Sequence, residues 1–184
     1  LDIKRKILKD SNGLIVLFRG KVNREAGFRN ICEAAMKLSK KATFIFIIGE
    51  KDCLPSELNN VIRLSNVSPG DMFEIYRMAH VAIGQISEHP RLKYTIPHKA
   101  YEAGYFKKAY VTSRSNGIKE IYSDTSVFCL DETNSEALAL AILALSDREK
   151  RAKLEFEIGQ QYQQVISQEA INNEFAKLVW EILD

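Results

Sequence analysis

The sequence predicts an α/β domain in which a doubly wound, parallel, six-stranded sheet is followed by a helical C-terminal tail. Three observations predict it. Apolar runs of strand length recur along the chain, segments of helical period lie between them, and from Asn134 onward the helical period takes over.

The strands are expected at Leu14 to Arg19, Thr43 to Ile48, Val61 to Leu64, Val81 to Ile86, Ala109 to Thr112 and Val127 to Leu130. Helices are expected between them near Gly27 to Ser39, Gly70 to Ala79, Pro97 to Gly104 and Ile118 to Tyr122. Pro97 suits the first turn of the third of these and Gly104 its end, just before the apolar run Ala109-Tyr110-Val111-Thr112. The tail reads as Ser135 to Leu145, Asp147 to Val165 and Glu169 to Leu183, with Trp180 near the end. It could cover a sheet edge, and its last helix could equally lie against a partner domain. Six strands with their crossovers imply a Rossmann-like sheet, whose ligands sit outside the carboxyl ends of the strands near the topological switch point. The functional loops are therefore expected after strands one, four and five.

Bulk composition narrows the function classes. The 184 residues are enough for one domain with a sizeable core. With 26 basic and 24 acidic residues the net charge is +2, which lacks the strong positive field of a nucleic-acid binder. The run Lys4-Arg5-Lys6 with Lys9 reads as a solvated terminus. Cys32, Cys53 and Cys129 are odd in number and far apart, so they suggest neither a disulfide framework nor a zinc site, and a reducing cytoplasm fits. No apolar stretch approaches a membrane span, and no signal peptide is visible. Leu1 in place of an initiator Met leads us to expect a piece of a longer protein.

Three loops hold the candidate binding residues. In Arg19-Gly20-Lys21-Val22-Asn23-Arg24-Glu25-Ala26-Gly27-Phe28, Gly20 permits a tight turn, Lys21 and Arg24 supply cations, and the helix beginning near Gly27 offers free N–H groups. That suits an anion, though a plain strand-to-helix turn with solvated cations reads the same way. The loop is neither a Walker A loop nor the dinucleotide fingerprint. In Tyr94-Thr95-Ile96-Pro97-His98-Lys99-Ala100-Tyr101-Glu102-Ala103-Gly104, Lys99 and Glu102 share one helix face. One could hold phosphate and the other accept two ribose hydroxyls, and the same spacing also suits a surface ion pair. In Ser113 to Ile121, Asn116-Gly117 reads as a turn before a helix start, whose amides could meet a phosphate or sugar or simply join two elements. His80 reads as structural. His89 and His98 lack a second His or Cys at metal-ligand spacing, so no metal is expected, and Glu88 is a weak candidate for catalysis. Neither a nucleophilic triad nor a carboxylate pair with divided acid and base roles is present.

The order of these features resembles the C-terminal, donor-binding half of a GT-B glycosyltransferase, from the retaining nucleotide-sugar enzymes called glycosyl transferases group 1 (family 4 type). The resemblance runs from about Gly13 to Leu183. It rests on the first-strand glycine loop, on a second strand ending in glycine as Ile47-Ile48-Gly49-Glu50 does, and on the short helix Gly70 to Ala79. It rests also on Pro97-His98-Lys99-Ala100-Tyr101-Glu102-Ala103-Gly104, which is similar to the branch reading Pro-x-Lys-x-x-Glu.

The resemblance implies that Glu102 binds the ribose hydroxyls of a nucleoside diphosphate sugar, that Gly20 and Lys21 approach the pyrophosphate, and that Lys99 adds a phosphate contact. It implies a retaining, metal-independent transferase with no cofactor, acting in polysaccharide or glycolipid synthesis on a saccharide or lipid-linked acceptor. That acceptor would be held by an N-terminal half absent here, so this chain alone is expected to be inactive. The implied location is the cytoplasm, or the inner membrane face for the full-length protein. Two positions depart from the family. The lysine usual before the second loop glycine is Ala26, leaving Arg24 as a substitute, and the earlier of the family's two spaced glutamates falls at Tyr94. A non-catalytic scaffold or assembly module on the same fold is the alternative. A nicotinamide-binding domain using Glu50 or Asp52 is disfavoured by the missing fingerprint.

Overall fold

The computed structural model describes residues 2–11 and 13–183, and among the side chains of those residues not Asp2, Ile3, Lys6 or Leu183. Leu1 therefore lies outside the described residues, as does the side chain of Lys6 in the basic run.

Six parallel strands form one sheet: β1 (Leu14–Arg19), β2 (Ala42–Ile47), β3 (Val61–Leu64), β4 (Val81–Ile83), β5 (Ala109–Ser113) and β6 (Phe128–Leu130). Their order is β3-β2-β1-β4-β5-β6, the doubly wound arrangement the sequence predicts. The central strands are almost wholly buried because helices cover both faces, and this is why they read as unbroken apolar runs. The two-residue period divides each strand between two cores. Val16, Phe18, Phe44, Phe46, Val81 and Val111 face α2 (Phe28–Lys37) and α6 (Ser135–Ala144). Ile15, Leu17, Ile45, Ala82 and Tyr110 face the layer of α3 (Pro69–Met78), α4 (His98–Tyr105) and α7 (Arg148–Gln161).

Four expectations are refined or corrected. First, the basic N-terminal run is solvated as expected, with Lys4, Arg5 and Lys9 facing solvent, but it belongs to a helix, α1 (Asp2–Asp10), which packs on α3 through Ile7, 0% exposed. Second, β4 stops at Ile83 rather than Ile86. Gly84 still donates to the Val111 carbonyl at 2.7 Å, but the Thr112 hydroxyl then accepts from the Gln85 amide (3.3 Å) and the Ser113 hydroxyl from the Ser87 amide (3.0 Å). The Ser113 amide still donates to the Gln85 carbonyl (2.8 Å), but side-chain hydroxyls now take the Gln85 and Ser87 amides, and the regular ladder ends. Third, Asn116 and Gly117 open α5 (Asn116–Ile121) instead of preceding it, since Ser115 caps the helix by accepting from the Ile118 amide at 3.2 Å.

Fourth, the helix expected over Asp147 to Val165 is α-helical only to Gln161 and continues as a π turn, Tyr162–Ile166. Tyr162 packs there against Gly104, where an added Cβ would lie 2.8 Å from its ring and 2.0 Å from the Tyr122 hydroxyl. Ser167 ends the turn and caps α8 (Gln168–Leu183) by accepting from the Ala170 amide at 3.1 Å. Along α8, Ile171, Phe175, Leu178 and Ile182 recur at helical spacing, all exposed.

Candidate functional site

Strands β1 and β4 are neighbours, and the chain leaves them toward opposite halves of the sheet, so the crevice at their carboxyl ends is the switch point. The two exits are tied together. Ile86 donates its amide to the Ala26 carbonyl (3.0 Å), the Ser87 hydroxyl donates to the Glu25 carbonyl (2.7 Å), and the Asn30 side-chain amide donates to the Ile86 carbonyl (3.1 Å). Gly27 makes this possible: its φ is +68°, and a Cβ there would stand 1.8 Å from the Ile86 oxygen.

Helix α4 starts beside this crevice, and its first turn sends Lys99 inward. The Lys99 ammonium is buried between the two strand ends. It donates to the Gly84 carbonyl (3.2 Å) and to Gln85 Oε1 (3.3 Å), and sits 4.3 Å from the centre of the Phe18 ring. Burial pushes its pKa down to about 7, against the pull of the Glu102 carboxylate and with a further depression from the Arg19 guanidinium. Gly20, the first residue after β1, lies over it with φ +154°; a Cβ there would be 3.4 Å from Lys99 Nζ.

One turn along α4, Glu102 takes two donors. Arg19, the last residue of β1, pairs with Oε1, and the buried Tyr76 hydroxyl of α3 donates to Oε2 at 2.6 Å. Tyr76 is fixed by stacking on Phe106, with ring centres 4.6 Å apart. Burial, the Glu102 charge and the hydrogen bond all push the phenol pKa up, so it remains a donor. Arg19, Tyr76 and Glu102 stand together in the lining of a groove of about 430 Å³ between α3 and α4, lined also by Val67, Met72, Tyr101 and Tyr105.

The structure thus brings together Gly20, Lys99 and Glu102 from the sequence-predicted set. Lys21 is exposed next to Gly20 and pairs with no carboxylate among the described residues. Arg24 lies elsewhere. It lines a cavity of about 600 Å³ with Gly27, Asn30, Ser87, Glu88 and Asn134, which none of Gly20, Lys99 and Glu102 lines. Asn116 is exposed, while Gly117 packs on the Thr95 backbone, a Cβ there falling 2.7 Å from the Thr95 oxygen. Ser115 and Ile118 of this segment and Gln85 of the β4 exit line a void of only about 10 Å³. Among the histidines, His80 accepts from the Ile15 amide at 2.9 Å through Nδ1, a structural bond. Tyr94 is exposed beside Lys93, and Ala26 is buried. No group of three His, Cys, Asp or Glu side chains is placed to hold a metal ion among the described residues.

Arg19 and Tyr76 escaped the sequence reading. A charged residue ending a buried strand just before a loop glycine was the available signal for Arg19, whereas Tyr76 has the spacing of an ordinary core residue of its helix.

The β1–β4 switch point thus presents a lysine and a glutamate from one helix at the sheet mouth, and sequence comparison gives the family of the chain. The chain belongs to the glycosyl transferases group 1 family, whose model matches residues 1–160. No curated protein matches it in sequence. Among solved structures it is similar to a glycosyltransferase from Rickettsia africae (17% identity, TM-score 0.76), covering 100% of this chain and 52% of that one. It is also similar to HepE from Anabaena in complex with UDP-glucose (18% identity, TM-score 0.77; 98% of this chain, 52% of that one). A third likeness is to the C-terminal domain of the glycosyl transferase group 1 family protein LpcC from Francisella tularensis (18% identity, TM-score 0.68; 91% and 92%). The chain spans about half the length of the first two proteins and has the fold of a GT-B half-domain. No helix among the described residues is long and apolar enough to cross a membrane.

Proposed function

We propose that this chain is the donor-binding half of a glycosyltransferase and holds a nucleoside diphosphate sugar at the β1–β4 switch point. The observation that carries the proposal is the meeting of Gly20, Lys99 and Glu102 at one rim. In this reading the ribose hydroxyls donate to Glu102 and the diphosphate lies over Gly20. The apolar groove beside Glu102, with Val67, Met72 and Tyr101, receives the base. The presence of UDP-glucose in the similar Anabaena protein supports this donor class.

The chemistry asked of the site is leaving-group stabilisation. As the bond from the sugar carbon to the diphosphate oxygen breaks, negative charge grows on the diphosphate. Lys99, Lys21 and the N-terminus of α4 would offset it without a metal or cofactor. Lys99 suits the task because its ammonium is fixed by Gly84 and Gln85 and shielded from water, so it need not reorganise as charge develops.

The acceptor, a growing polysaccharide or lipid-linked saccharide, would be bound by an N-terminal half, with which this chain completes a retaining enzyme at the cytoplasmic side of the membrane. The exposed apolar face of α8 fits docking onto that half. By itself the chain would bind donor without transferring sugar. Calorimetric titration with UDP- and GDP-sugars tests the proposal. Saturable binding of one donor, weakened at least about tenfold in Glu102→Ala, is expected from the loss of charge-assisted bonds. A folded protein that binds none of them refutes it. A longer protein that binds donor yet never transfers sugar would instead be a scaffold.

A further inference from the structure

We infer that Arg19 supplies a further phosphate cation of this site beside Lys99 and Lys21, and that in the free protein it guards Glu102 until a diphosphate draws it away. The inference rests on the donor-site reading above.

The loop after β1 is short of one cation. Ala26 stands where a lysine would be expected from the family resemblance. Its side chain is buried, its amide donates to Asn23 Oδ1 at 2.8 Å, and its carbonyl accepts from Ile86 at 3.0 Å. Arg24, the other candidate, lines a different cavity. Arg19 is in place without any movement of the chain. It directly precedes Gly20, and its guanidinium is close enough to Lys99 to depress that lysine's pKa. A diphosphate resting on Gly20 therefore has Lys99 beneath it and Arg19 beside it.

In the free protein Arg19 is engaged with Glu102 through one terminal nitrogen, Nη1, and its side chain remains 42% exposed. The planar fork thus keeps donors to spare and suits a diphosphate oxygen pair. Glu102 is only 26% exposed, so its charge needs a partner whenever the ribose is absent. Its two oxygens are held differently. Oε2 is anchored by Tyr76, buried and stacked, whereas Oε1 is held by the half-exposed arginine. One anchor stays and the other can leave: an ion pair open to solvent is a weak one. When a nucleoside diphosphate arrives, its ribose hydroxyls replace Arg19 at Oε1 and its phosphates receive the displaced guanidinium. A nucleoside alone must break the same pair and gives Arg19 nothing in return. The pair thus makes the site prefer a ligand that brings ribose and diphosphate together.

The test is calorimetric titration of the whole chain and of its Arg19→Gln and Arg19→Lys variants with uridine, UDP, guanosine and GDP. Arg19→Gln is expected to weaken the preferred diphosphate by about tenfold or more, as removal of a charge-assisted contact does. The same variant should bind the matching nucleoside as well as the wild type or a few-fold tighter, since Glu102 is already unguarded. Arg19→Lys, keeping the charge without the fork, should fall between the two on the diphosphate. Equal weakening of nucleoside and diphosphate would overturn the inference by making Arg19 a mere support for Glu102. Unchanged binding of both would overturn it as well. If Arg19→Gln does not fold, Arg19→Lys decides the matter: an unchanged diphosphate-to-nucleoside affinity ratio overturns the inference, a reduced one upholds it. A wild type that binds none of the four compounds refutes the donor-site reading itself, an outcome distinct from wild-type binding that Arg19 does not influence.

Discussion

Replacing Lys99 with methionine is expected to stabilise the free protein while weakening its grip on a diphosphate. The magnitude follows from the lysine's surroundings. Its pKa falls from 10.5 to about 7, chiefly through burial, with Arg19 adding to the fall and Glu102 opposing it. At about 1.4 kcal/mol per unit, a fully charged Lys99 costs the folded state roughly 5 kcal/mol relative to the unfolded chain. Between pH 7 and 10.5 the unfolded chain binds more protons at this residue than the folded one. Wild-type stability from this group therefore rises with pH through that window, by at most about 1.4 kcal/mol per pH unit, and the full cost is felt below it. Methionine fills a similar volume without charge but leaves the Gly84 carbonyl and Gln85 Oε1 short of a donor. The net gain should be on the order of 1–4 kcal/mol at neutral pH and fall by about 4 kcal/mol as the pH approaches 10.5, where the unmet acceptors leave the variant no more stable than the wild type. Urea unfolding of both proteins across this window measures it, because contributions from other titrating groups cancel in the difference. A stability difference that does not change with pH, or one that grows in favour of the variant as pH rises, would refute the reasoning.

Other consequences follow from packing. Gly27→Ala should cost about 3 kcal/mol or more, since the position combines φ +68° with a Cβ 1.8 Å from the Ile86 oxygen; an unchanged melting temperature would contradict the described loop. Gly70→Ala is its control. That site has no close neighbour beyond Ser68 Oγ at 4.0 Å, and the substitution should be neutral or stabilising by up to about 1 kcal/mol in the same melt. Introducing Phe175→Glu with Ile182→Glu on α8 should shift urea stability by no more than about 0.5 kcal/mol per substitution, because both side chains face solvent. A loss of several kcal/mol would show that this chain itself covers that face.

Much of the fold was legible because the central strands are buried on both sides and so stand out as apolar runs; all six were found. What was not legible depended on contacts between distant residues. The end of β4 is set by hydroxyls of Thr112 and Ser113 on the next strand, and the break after Gln161 by the fit of Tyr162 against Gly104. Helix α1 is short, and its visible signal was charge, while its contribution to the core comes through Ile7. At the site, local spacing sufficed to place Lys99 and Glu102 on one helix face beside Gly20. It could not choose among Arg19, Lys21 and Arg24 as partners for an anion. Nor could it show that Arg19 pairs with Glu102 of α4, or that Arg24 lies beyond the loop tie to Ile86 and lines another cavity. Tyr76 reaches Glu102 only because α3 and α4 lie side by side over the switch point.

The most direct test is a crystal structure of this chain with its preferred nucleoside diphosphate, UDP or GDP. The account predicts ribose hydroxyls within hydrogen-bond reach of Glu102, diphosphate over Gly20 between Lys99 and Arg19, and the Arg19–Glu102 pair parted. Diphosphate bound instead in the cavity of Arg24, Glu88 and Asn134, with Arg19 still on Glu102, would contradict it.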